Sequence, residues 1–84
     1  MSEFEVVDAW LDLLRTELDL VGLGEIDVAT MLVAVRAVAH GVIHPAGPVA
    51  MFAVGYAAAR AGGSTAVVEQ LLVRTVDLAA QFDG

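Results

Sequence analysis

The sequence predicts an all-α fold, a compact antiparallel array of four helices. Three observations carry that expectation. Apolar residues recur at alternating steps of three and four through four segments. Residues that start or stop helices bracket each segment, and nothing alternates at period two over a useful length. The helices are expected at about 3–20, 28–42, 48–61 and 65–82 of a single domain spanning residues 1–84.

The first segment opens with Ser2 and Glu5, the S-x-x-E spacing of a capping box, in which each residue satisfies a backbone N–H near the other. Phe4, Val7, Leu11, Leu14, Leu18 and Val21 then mark an apolar face, widened by Trp10, Leu13 and Leu20. Glu5, Asp8, Asp12, Arg15 and Asp19 fall on the opposite side. Gly22 or Gly24 is expected to supply the positive φ of the C-terminal stop.

Asp27 suits the N-cap of the second helix, whose inner face reads Val28, Met31, Leu32, Val35, Val38, Ala39 and Val42. The third is expected to open with Pro48 in its first turn, where a missing N–H costs nothing, and to stop at Gly62-Gly63. Ser64 or Thr65 caps the fourth, with Val68, Leu71, Leu72, Thr75, Leu78, Ala79 and Phe82 inward. Connections of about 4–7 residues favour antiparallel neighbours.

Positions 47, 51, 55, 59 and 63 form one i, i+4 row reading Gly, Met, Gly, Ala, Gly. Such a row packs a helix tightly inside its own domain or lets a second chain approach. Helices two and three are apolar almost all round, and a chain of 84 residues has little interior in which to hide them. A homodimer burying a patch from helix three or four is therefore expected.

Charge is unevenly spread within the net −7. Residues 1–27 hold eight acids against Arg15 alone, whereas from 28 to 76 Glu69 faces Arg36, Arg60 and Arg74. With no lysine and scattered arginines, the chain lacks the basic footprint that neutralises phosphates, so no nucleic-acid partner is expected. The uncharged run between Arg36 and Arg60 is broken by "HGVIHPAGP", leaving about twelve apolar residues, a core helix and not a membrane span. The acidic start does not suit a signal peptide, which points to the cytoplasm. Without cysteine, neither a disulfide nor a thiolate metal site can form.

His40 and His44 stand four apart, the spacing of two metal ligands on one helix face. Pro45 disfavours helical geometry at His44, and no carboxylate lies close in sequence to complete a ligand set. No metal, cofactor or catalytic residue is assigned. The hydroxyls of Ser2, Thr30, Ser64 and Thr65 are explained by helix starts, and no nucleophile elbow is present. "GGST" reads as a helix stop followed by a cap, although its amides could also hold a phosphate.

The sharpest ligand hypothesis joins Arg36, His40, Tyr56 and Arg60. Two guanidiniums, an imidazole and a phenol would suit a small anion or a nucleotide if antiparallel helices two and three brought them together. The plainer reading pairs both arginines with the acid-rich first helix and sends Tyr56 into the core.

The stretch "VAHGVIHPAGPVAMFAVGYAAARAGG", taken with "DAWLDLL", resembles a family of small helical domains of unknown function from high-GC actinobacteria. The resemblance rests on an early Trp10, on the A-H-x-V-x-(R/H)-P-A-x-P pattern at Ala39, His40, Pro45, Ala46 and Pro48, and on Gly62-Gly63. His44 stands where many members carry arginine. Members occur alone or fused behind a guanylyltransferase-like domain of molybdenum-cofactor assembly. The resemblance thus implies an accessory module linked to molybdopterin nucleotide chemistry, and it transfers no catalytic residue.

The expectation from sequence is a non-enzymatic helical interaction module, partnered by a second copy or by a molybdenum-cofactor nucleotidyltransferase. Trp10, His40, His44, Pro45 and Pro48 are its expected turn-forming or partner-contact positions. Binding of an anion or nucleotide by Arg36, His40, Tyr56 and Arg60 is the alternative.

Overall fold

The computed structural model describes residues 1–84 and contains four helices and no strand. These are α1 (Glu3–Glu17), α2 (Val28–Gly41), α3 (Ala46–Arg60) and α4 (Thr65–Gln81). None is long and apolar enough to cross a membrane.

Three helices begin at side-chain caps. The Ser2 hydroxyl accepts from the Glu5 N–H at 3.2 Å while the Ser2 N–H donates to the Glu5 carboxylate at 3.3 Å, completing the capping box. Asp27 accepts from the Thr30 N–H and hydroxyl, and Ser64 accepts from the Val67 N–H. Helix α3 has no side-chain cap and follows Pro45. It starts at Ala46, two residues before Pro48. Any first-turn position lacks an intrahelical acceptor, so Pro48 is accommodated third in the helix as readily as first.

Helix α1 is shorter than the apolar periodicity suggests. It ends at Glu17, where Asp19 takes φ +50° and the Leu20 N–H donates back to the Arg15 carbonyl. Aspartate tolerates this left-handed conformation, so the reversal occurs before either glycine is reached. The connection to α2 runs from 18 to 27, longer than the short link expected.

Helices α2, α3 and α4 pack on one another, whereas α1 touches only α2. Ala34, Val54, Ala58, Val68 and Leu72 form the core, with Met31, Met51 and Leu71 packed against it. Small residues bring the backbones close. A methyl group on Gly41 would collide with the Ala79 carbonyl oxygen of α4, and one on Gly47 would lie 3.0 Å from a Val35 methyl of α2. The result is a thin molecule, 39 × 32 × 18 Å, no deeper than two packed helices.

Thinness decides burial. Nine of the 84 residues are buried, and α1 contributes none of them. Leu32, Val42, Leu78 and Phe82, expected to face inward, are exposed because the second flank of each helix has no neighbour. Ala34, on no expected inner face, is instead 1% exposed at the centre.

Candidate functional site

An apolar groove of about 480 Å³ lies between α3 and the 20–26 segment. Phe52, Gly55 and Tyr56 line it from α3; Leu20, Leu23 and Ile26 line it from the opposite wall. Too few apolar contacts exist to hold that irregular wall by burial alone, and a set of polar bonds positions it.

Arg15 supplies two of them. Its guanidinium donates to the Leu23 carbonyl at 3.0 Å and to the Gly24 carbonyl at 2.8 Å, folding the connection back beside α1. The planar fork of arginine suits two successive carbonyls. The Gly24 N–H then donates to the Gly63 carbonyl at 2.7 Å, and the Thr65 hydroxyl donates to the Glu25 carbonyl at 3.1 Å. Gly63 permits this closeness. Its φ is +73°, and a Cβ there would sit 2.7 Å from the Gly22 carbonyl oxygen. The groove wall is thereby tied both to α1 and to the α3–α4 turn.

The row of small residues on α3 divides accordingly. Gly47 packs on Val35 and Gly63 on Gly22, but Gly55, between them, has nothing within 4 Å of its would-be Cβ. Packing within the chain explains the ends of the row and leaves its middle open, at the groove.

Trp10 lies on α1 with 57% of its surface exposed. His40 occupies the last turn of α2, His44 and Pro45 the turn that follows, and Pro48 the first turn of α3. All four are exposed. The His44 carbonyl accepts from the Gly47 N–H at 3.3 Å, which helps form that turn. No group of three His, Cys, Asp or Glu side chains comes together as a metal site.

Arg36, His40, Tyr56 and Arg60 are also exposed, and the structure brings together the two on α3. The Arg60 guanidinium lies over the Tyr56 ring, 5.8 Å from its centre. Tyr56 is 62% exposed and is not a core residue. The Gly47–Val35 contact sets α2 beside the start of α3, which places Arg36 near residue 46. At the helical rise, Tyr56 and Arg60 then lie roughly 15 and 20 Å further along. The four residues therefore do not share one site.

The role of Arg15 was not legible in the sequence, and the row of small residues did not show that Gly55 is the glycine left open. A lone base among eight acids was the available signal for the first, but its partners are backbone carbonyls, which leave no mark in side-chain patterns.

One family model matches residues 2–84, covering all four helices and both walls of the groove. The chain belongs to the family described as a domain of unknown function (DUF6457). No curated protein and no solved structure matches it significantly. The DUF6457 match begins at Ser2, the cap of α1, so the helix that buries nothing is an integral part of the family's domain.

Proposed function

We propose that this DUF6457 domain is a non-enzymatic helical interaction module that works by covering its apolar surface with another protein. One observation carries the reading. The chain exposes 5962 Å², whereas a folded monomer of its mass is expected to expose about 4,700 Å². The surplus of roughly 1,200 Å² exceeds the ~800 Å² that one partner contributes to a standard interface. Much of the exposed surface is large and apolar, including Trp10, Phe52 at 80% and Tyr56. Trp10 and the 40–48 turn, with His40, His44, Pro45 and Pro48, are the contact positions this reading favours.

The sequence resemblance supports a molybdenum-cofactor nucleotidyltransferase of the cytoplasm as the partner. Titration of the purified domain into such a transferase is expected to give binding in the micromolar range or better, weakened by Trp10→Gln. Absence of binding at about 100 µM, together with unchanged transferase activity, would reject that partner.

A second reading, anion or nucleotide binding, draws on the Arg60 guanidinium held over Tyr56 at the edge of the groove. Calorimetry with guanine nucleotides tests it. Heat of binding that disappears in Arg60→Ala supports it, and no heat with either protein rejects it.

A further inference from the structure

We infer that the groove on α3 receives the apolar face of α1 from a second copy of this chain, reciprocally about a two-fold axis. The inference rests on the interaction-module reading and names the partner of that surface.

Each chain carries both halves of the contact. Helix α1 presents Val6, Trp10 and Leu13, at steps of four and three, as an exposed stripe and buries none of its residues. The groove has an open floor at Gly55, where a neighbouring helix can approach the α3 backbone closely. The α3 residues that line it, Met51 to Ala59, span about 12 Å, the length of two turns of α1. An isologous dimer requires that a patch and its complement lie on the same molecule. This chain supplies the pair.

Area and charge select this arrangement over its competitors. Reciprocal docking covers two patches per chain, which fits a surplus of roughly 1,200 Å² better than a single patch does. Packing α3 on α3 would leave the α1 stripe uncovered. Packing α1 on α1 would bring together two helices that each carry five acids against Arg15 alone. Docking α1 on α3 instead sets the acidic helix against one whose single charged residue is Arg60. Arg60 stacks on Tyr56 at the groove's edge, within reach of an incoming acidic helix.

The test uses two variants of the full chain, Gly55→Leu to fill the groove and Trp10→Gln to remove the central residue of the stripe. Both positions are helical and exposed, so circular dichroism should report unchanged helix content. Light scattering at micromolar concentration should give twice the chain's mass for the native protein. Each variant alone should dimerise about tenfold more weakly or worse. A one-to-one mixture of the two variants retains one intact α1–groove pair. Native mass spectrometry should therefore find the mixed dimer at lower concentration than either variant's own dimer. A monomeric native chain, variants that dimerise like it, or a mixed dimer no stronger than the variants' own would each overturn the inference. A monomeric chain that still bound the transferase would overturn the self-pairing alone and leave the interaction-module reading standing.

Discussion

The N–H of Gly24 donates to the carbonyl of Gly63 at 2.7 Å, joining the α1–α2 connection to the α3–α4 turn. With the two Arg15 bonds and the Thr65 hydroxyl it forms a polar belt behind the groove. An irregular segment with few buried side chains needs its backbone groups partnered to hold one shape. This belt does that, which is why a wall exists opposite α3.

Arg15→Ala should lower stability by about 1.5–3 kcal/mol, the range for hydrogen bonds to a charged donor. Arg15→Lys should recover only part of the loss, because an ammonium cannot span two successive carbonyls as a planar fork does. Urea unfolding followed by circular dichroism measures both. Equal stability of all three proteins would show that the wall does not depend on this residue.

Gly63→Ala combines an unfavourable φ with a collision against the Gly22 carbonyl and should cost about 2 kcal/mol or more. Gly62→Ala also meets a positive φ, +99°, but has open space around its Cβ. It should cost less, about 1 kcal/mol. The difference between the two thermal midpoints isolates the close approach of the two loops.

Two helical glycines should respond with opposite signs. Gly41→Ala drives a methyl group into the Ala79 carbonyl and parts α2 from α4, so it should destabilise by about 1–3 kcal/mol despite alanine's better helix propensity. Gly55→Ala meets nothing within 4 Å and should stabilise the isolated chain by up to about 1 kcal/mol. Denaturant midpoints at concentrations where the protein is monomeric check the pair.

Leu72→Ala removes the largest side chain of the central cluster, 3% exposed, and should cost about 2–5 kcal/mol. Leu78→Ala, one face away on the same helix and half exposed, should cost about 1 kcal/mol or less. Similar losses at both positions would mean that α4 buries a wider stripe than this structure gives it.

Trp10 is the only tryptophan, so its fluorescence reports α1 alone. At 57% exposure its emission should lie toward the red end of the tryptophan range in the isolated chain. Cover by a partner should shift it to the blue. Dilution through the dissociation range is the simplest measurement.

The elements were legible in the sequence because they depend on neighbours only a few residues away. Ser2 with Glu5, Asp27 with Thr30 and Ser64 with Val67 each make their caps as local spacing anticipates. The stop at Gly62-Gly63 is equally local, with both residues at positive φ. Periodicity within α1 and α4 marked an apolar face correctly but could not tell whether anything would pack against it. Among the candidate site residues, Tyr56 and Arg60 meet because one helical turn separates them, whereas their placement relative to Arg36 depended on the register of α3 along α2.

The sequence by itself determined that four helices form, roughly where each begins and ends, and that no strand competes. Tertiary structure alone decided how thin the molecule is, that α1 rests on α2 without burying a residue, and that Arg15, Gly24 and Gly63 build a groove wall from backbone bonds. The reason is one of range. Caps and helical periods act over three or four residues, but whether an apolar face is core or surface depends on how many neighbouring helices the chain can bring to it.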